Sequence, residues 1–441
     1  MIGDPMQVRE CRICQSRKLN LVLDLGRTAL ANRFLRPEEL GEPEPFFALR
    51  AILCGDCGLV QLDEEVPREM LFREYLYASG TSNLVWTHAR SLAVNVCRRY
   101  GLDAQDLVME AASNDGTVLK EFRWLGLPVL GIEPAENIAA QAKEHGIPTV
   151  VDFFDDRLAR DLRRQYGAAR LFLARHVLAH VSDLHGFIHG IKCVLADDGV
   201  AVIEVPHVAE LYRHLEFDTI YHEHLCYFSV AVLRTLMEKF GLTIIDVDRV
   251  AIHGGSLLVH IAHEGRHPVS PRVVEALSQE DNLRLGELET WRGFGRRVAQ
   301  VKEELLRFVD EIGERGQSLA GYGAAAKANT LLAYCGIGPD RLPYIVDRSP
   351  LKQGLLTPGH HIPVHGPELL LDDQPDVTLI LAWNFADEIF EQQAEYRRRG
   401  GRLAVPIPVP RFLGAPCVTG VRNQGSGVRD QESGIRGEGV T

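Results

Sequence analysis

Leu107-Val108-Met109-Glu110-Ala111-Ala112-Ser113-Asn114-Asp115-Gly116-Thr117 decides the fold. Leu107 to Ala112 reads as a buried strand, the next five residues as a polar turn, and Val118 to Arg123 as the opening of a helix. Outward from it the alternation continues. A strand over Pro128 to Ile132 ends at Glu133, and further strands follow over Val150 to Phe154, Leu171 to Ala174 and Gly199 to Val205. Strands separated by helix-length segments predict an α/β chain with a parallel, doubly wound sheet. Leu242 to Val247 and Ser256 to Ala262 are closely spaced, as if the sheet ended in a hairpin edge. Upstream, Leu84 to Tyr100 is helical in pattern.

A strand-to-helix turn lets the backbone N–H groups of a helix start approach a ligand. Glu110, Ser113, Asn114, Asp115 and Gly116 form that turn, and Glu133 ends the next strand, where a carboxylate can accept both hydroxyls of a ribose. The glycine pattern of a dinucleotide site is absent, since Ala111 and Ala112 stand in its place. A side-chain-rich turn with no pyrophosphate to wrap suits S-adenosylmethionine; an ordinary Asn-Asp-Gly turn is the plain alternative. Asp152 and Phe153 offer an acceptor and an aromatic face to an adenine ring, or else Phe153 and Phe154 are a core pair. Arg175-His176 and His180 follow the fourth strand, where such sheets place ligand contacts, so His176 is read with the cofactor loop. His180 is a candidate for the substrate pocket or caps local backbone.

Phe217-Asp218-Thr219-Ile220-Tyr221-His222-Glu223-His224-Leu225-Cys226-Tyr227-Phe228 crowds proton-handling groups just beyond a strand. Methylation at carbon needs a base for an acidic C–H and a donor for the resulting enolate oxygen. Histidine is the base best matched to neutral pH, and tyrosine is a suitable donor. His224, Tyr221 and Glu223 are read in these roles, with Glu223 orienting or polarising an imidazole. The competing reading makes ligands of His222, Glu223 and His224, although helical H-E-x-x-H spacing is missing.

Two C-x-x-C pairs, Cys11/Cys14 and Cys54/Cys57, supply four thiolates for a closed, structural zinc site. Leu277 to Ile312 is a long charged helical segment. Beyond it Gly321-x-Gly323-x-x-Ala326, with Asp347 further on, comes near a dinucleotide fingerprint. Lys327 and Lys352 could there offer charge to a diphosphate. That supports an alternative, an NAD(P)-dependent oxidoreductase acting on a sugar nucleotide. From Arg411 the chain turns glycine-rich and polar and is expected to be disordered. At 441 residues with 46% apolar content, two or three globular domains are expected. A formal charge of −12 disfavours nucleic acid as the main partner, and with it a zinc-ribbon RNA methyltransferase. Met1 to Glu10 has no signal-like core and no apolar run is of membrane-spanning length, so a soluble, cytoplasmic protein is expected.

With these residues in place, the chain resembles the three-domain, S-adenosylmethionine-dependent sugar C-methyltransferases of deoxysugar pathways, which build branched sugars on antibiotics. The resemblance runs from Cys11 to about Pro410. It is carried by the doubled C-x-x-C, Tyr75-Leu76-Tyr77-Ala78-Ser79-Gly80, Glu110 to Gly116, Gly131-Ile132-Glu133-Pro134 and His180. Phe217 to Phe228, His253-Gly254-Gly255-Ser256, Gly321 to Asn329, Pro358-Gly359 with Ile362-Pro363, and Trp383 to Ile389 complete it. It implies a zinc-binding domain (1–67), a class I methyltransferase domain (68–268), and a linker helix with a Rossmann-like domain that binds no dinucleotide (269–410), then the tail (411–441). A thymidine-diphosphate 4-keto sugar would lie between the second and third domains of a monomer. By position, His224 looks like the base beside the keto group, with Tyr221 and Glu223 as assistants. Tyr75, Tyr77, His180, His222 and Asn384 look like substrate contacts, together with Lys327 and Lys352. Ala112 stands where the family often has glycine, and Arg175-His176 where it often has asparagine.

Overall fold

In the computed structural model, residues 5–67, 70–71, 83–252 and 254–414 are described. Tyr75, Tyr77, His253 and the tail beyond residue 414 lie outside them.

The central sheet has seven strands. In spatial order they are Leu242–Val250, Ser256–His263, Leu195–Pro206, Ala169–Arg175, Val108–Ala111, Val129–Ile132 and Thr149–Val150. The last five are mutually parallel, and the residues of the four inner ones are mostly buried, as a sheet covered by helices on both faces requires. Strand order reverses between Val108–Ala111 and Ala169–Arg175, so a crevice opens at the carboxyl ends of these two strands. The expected edge hairpin is present but turned inward. Ser256–His263 inserts antiparallel between Leu195–Pro206 and Leu242–Val250, leaving the earlier strand at the edge. Seven consecutive apolar or buried positions from Ser256 to Ala262 explain the choice, because an interior strand is covered on both faces.

Three further departures from the sequence reading have local causes. The strand expected over Val150 to Phe154 stops at Val150, since Asp152 takes the N–H of Phe153 on its own carboxylate. The long helical segment is two helices, Pro271–Leu283 and Leu288–Glu314, broken where Arg284 adopts φ 55°. Arg411–Phe412 belongs to the fold: it pairs antiparallel with Arg402–Val405, and Phe412 lies 5.1 Å from the Phe308 ring.

The amino-terminal sheet takes a strand from the middle of the chain. Its order is Cys226–Tyr227, Val60–Leu62, Phe47–Cys54 and Leu19–Thr28, with Cys226 opposite Gln61 and Tyr227 opposite Val60. The loop carrying His224 is therefore hydrogen-bonded into the first domain. The carboxy-terminal sheet runs Val364–His365, Ile345–Val346, Leu319–Tyr322, Val377–Ile380, Arg402–Val405, Arg411–Phe412, parallel but for the last strand. Among the described residues no helix is long and apolar enough to cross a membrane.

Candidate active site and zinc centre

The two C-x-x-C turns meet. The sulfurs of Cys11, Cys14, Cys54 and Cys57 all lie within 4.8 Å of one another, with Cys11–Cys57 at 3.5 Å and Cys14–Cys54 at 3.4 Å. A tetrahedral zinc at about 2.3 Å from each sulfur separates sulfurs by about 3.8 Å, so the donor set fits that ion and fills its coordination. Among the described residues this is the one group of potential ligands that converges. His222, Glu223 and His224 do not.

At the crevice, the polar turn after Val108–Ala111 winds through two left-handed residues, Ala112 (φ 52°) and Asn114 (φ 51°), before Gly116 (φ 76°) starts the helix Thr117–Trp124. Gly116 has no alternative, because a Cβ there would sit 2.8 Å from Ile147. Glu133 closes the turn, accepting from the N–H groups of Asn114 and Ala135 at 2.9 Å each. Asp115 accepts from the backbone and hydroxyl of Thr117. Glu110 Oε2 and Ser113 Oγ are buried without a hydrogen-bond partner. Burial, then the neighbouring carboxylates against the pull of Arg175, pushes Glu110 up to about 8. Unspent buried polar atoms at a helix start fit a polar ligand. Phe153 is exposed, and Asp152 is held by Arg157 at 3.1 Å.

His176, in left-handed backbone (φ 50°), meets Glu204 at 3.2 Å. Glu204, fully buried at the end of Leu195–Pro206, also takes Arg175 at 2.6 Å and His88 at 3.0 Å; against the cost of burial, the Arg175 guanidinium and the histidine hydrogen bonds hold its pKa well below the usual range. Nothing in the strand's apolar pattern marks Glu204 as their anchor, and the sequence reading missed it.

The second pole of the site is a cluster of rings. His224 Nδ1 lies 2.8 Å from the Thr219 carbonyl, which can only accept, so the proton is on Nδ1. Nε2 of the neutral ring then accepts from the Tyr221 hydroxyl at 2.9 Å. His180 packs edge-on, 4.9 Å from His224, and its Nδ1 donates to the Glu223 carbonyl at 2.6 Å. Desolvation, then the neighbouring His180, holds His224 well below the usual imidazole range; desolvation likewise takes His180 to about 4. Both residues and Tyr221 are half-buried.

Two assignments need correction. Glu223 orients an imidazole through its main-chain carbonyl, whereas its buried carboxylate accepts from Asn32 Nδ2 at 2.7 and 2.9 Å. His222 faces away from the rings: it is 2% exposed, donates to the Ala48 carbonyl at 3.2 Å and packs on Phe47. It ties the loop to the first domain.

Lys327 and Asn384 are brought together, Nζ donating to Oδ1 at 2.5 Å, with the Trp383 ring 4.2 Å below the ammonium. Trp383 Nε1 donates to Asp218 at 2.7 Å, which ties the carboxy-terminal domain to the ring-bearing loop. Burial raises Asp218 to about 6. Lys352 donates to the Ala324 carbonyl at 2.7 Å. Asp347 spends one oxygen on the Ala324 N–H and the other on Ser349. Gly323 is required by packing, since a Cβ would lie 2.5 Å from that of Ala382. The near-fingerprint thus has an intramolecular explanation.

Three family models match: a zinc binding domain over residues 11–72, a methyltransferase domain over 85–247, and a C-methyltransferase C-terminal domain over 251–408. C-methyltransferase NovU of Streptomyces niveus is 37% identical over 409 residues, covering 92% of this chain and 97% of that protein. Among solved structures, magnesium protoporphyrin IX methyltransferase from Synechocystis PCC 6803 is similar at 12% identity and a TM-score of 0.31, covering 40% of this chain and 79% of that one. An S-adenosylmethionine-dependent methyltransferase from Clostridium acetobutylicum gives 8% and 0.33, covering 41% and 92%. The chain belongs to the C-methyltransferase family, S-adenosylmethionine-dependent enzymes with an amino-terminal zinc-binding domain.

Proposed function

We propose that this C-methyltransferase acts at the carbon beside the ketone of a thymidine-diphosphate 4-keto-deoxyhexose, C3 favoured over C5, in the making of a branched deoxysugar for an antibiotic. The observation that carries the reading is the Tyr221–His224–His180 cluster, half-buried and with its imidazoles neutral near pH 7. Thr219 pins the proton of His224 on Nδ1, so Nε2 keeps a lone pair for the α-proton of a carbon acid. As the C–H bond breaks, its proton passes to Nε2 and its electrons move into an enolate. The Tyr221 hydroxyl, displaced from Nε2 by that proton, turns to donate to the enolate oxygen. Lys327 adds a positive field that disfavours imidazolium at His224 and favours negative charge developing beside it. The Glu110–Gly116 turn and Glu133 would hold S-adenosylmethionine, which would supply the electrophilic methyl group. Lys327, Asn384 and His180 are the substrate contacts; Tyr75 and Tyr77, read in the same role from the sequence, lie outside the described residues.

The test is incubation with a thymidine-diphosphate 4-keto-6-deoxyhexose in D2O, with and without S-adenosylmethionine, read by NMR and mass spectrometry. Deuterium at one α-carbon, and a methyl group there once the cofactor is added, is the expected result. A panel including 3-amino and 2-deoxy sugars that exchanges no α-proton would sink the proposal.

A further inference from the structure

We propose that Asn32 is a positioning residue of the active site, through which the zinc-binding domain fixes the Glu223 carboxylate and with it the loop that carries His224. The inference rests on the reading that this loop deprotonates the substrate.

Asn32 sits just past Leu19–Thr28 in a segment clamped by the carboxy-terminal domain on both sides. Before it, the Ala31 carbonyl accepts from Asn329 Nδ2 at 2.7 Å. After it, Leu35 and Leu356 exchange backbone hydrogen bonds of 3.0 and 2.8 Å. The amide of Asn32 is thus held by anchors on either flank. It meets Glu223 across 191 residues of sequence, Nδ2 lying 2.7 Å from one oxygen and 2.9 Å from the other. Both oxygens share the one Nδ2 donor in a bifurcated contact, which suits a carboxylate with acceptors on both sides. Among the described residues no other group hydrogen-bonds to that carboxylate. Glu223 is 4% exposed, and its carbonyl anchors His180 while the next residue is His224. A carboxylate that lost its partner here would turn or take up a proton, and both rings are tied to its backbone.

The loop is stitched to the same domain by its main chain as well. Leu62 N donates to the Leu225 carbonyl at 3.0 Å, while Leu225 N donates to Ala179 at 2.7 Å. The zinc domain therefore reaches the proton-transfer site by a backbone seam and by one side chain. The titratable rings nearest Glu223, namely His222, His224 and His180, are each held below the usual range chiefly by burial. Burial raises Glu223 itself to about 7, against which the Asn32 amide pulls.

The experiment uses the full-length, zinc-loaded enzyme with Asn32→Ala and Asn32→Asp. Zinc content and affinity for S-adenosylmethionine should stay at wild-type values. The Glu223 carboxyl, followed by 13C NMR and assigned with Glu223→Gln, should titrate about one pH unit higher in N32A and higher still in N32D. The acid limb of α-proton exchange should move with it, a loss of about fivefold at pH 7 that is regained at higher pH. An unmoved Glu223 titration overturns the proposal, as does a loss of activity at every pH accompanied by loss of zinc, which would make Asn32 part of the scaffold alone. If the carboxyl titration moves as stated while wild-type enzyme exchanges no α-proton from any 4-keto sugar, the positioning contact stands and the substrate reading falls.

Discussion

Replacing Glu110 by glutamine should stabilise the cofactor-free protein at neutral and alkaline pH while weakening its hold on S-adenosylmethionine. Glu110 lies at the end of a central strand, 2% exposed, with Oε2 unpartnered. Desolvation is the main reason its pKa rises from 4.5 to about 8. Because the folded value is the higher one, the folded state binds the proton more tightly. Its contribution to stability is fully present below pH 4.5 and is lost as pH rises through about 8. A shift of that size corresponds to an upper bound of about 5 kcal/mol, and between pH 5 and 8 the wild type should lose roughly 3–4 kcal/mol relative to Glu110→Gln. Glutamine keeps the shape and cannot ionise, so its own burial cost does not change with pH. Urea unfolding of both cofactor-free proteins from pH 5 to 8, followed by tryptophan emission, measures the difference. Calorimetric titration with S-adenosylmethionine should show at least tenfold weaker binding by the variant, the scale of one charge-assisted hydrogen bond. A stability difference independent of pH would refute the burial argument, and unchanged cofactor affinity would refute the assignment of the turn.

Tyr221→Phe removes the donor to His224 Nε2 and should lower kcat about ten- to a hundredfold with cofactor affinity unchanged, as steady-state kinetics would show. His224→Ala should abolish α-proton exchange in D2O; full exchange would remove it as the base. Stripping zinc with a chelator unties the Cys54 turn that ends Phe47–Cys54, two strands from Cys226–Tyr227. Methyl transfer should then fail while S-adenosylmethionine still binds, checked by metal analysis and calorimetry. Gly323→Ala drives a Cβ to 2.5 Å from Ala382 at φ 94° and should destabilise the carboxy-terminal domain by about 1–3 kcal/mol, visible as a lower Tm.

The periodicity around Glu110 to Thr117 carried the order of strands and helices, and with it the crevice at the strand ends, because burial on both faces makes parallel strands apolar runs of recognisable length. Paired cysteines two residues apart were equally legible, since tetrahedral thiolate chemistry demands that spacing. The ring cluster of Tyr221, His224 and His180 could be named as candidates from residue type alone. What each polar group is bonded to could not. Glu223 meets Asn32, His222 meets Ala48, and Trp383 meets Asp218, across separations of 191, 174 and 165 residues. Even the inward turn of Ser256–His263 depends on which neighbour covers it. Local pattern reports which side chains must leave water; the partners of those left polar inside are set by how three domains close on one loop, a long-range outcome that no short window of sequence encodes.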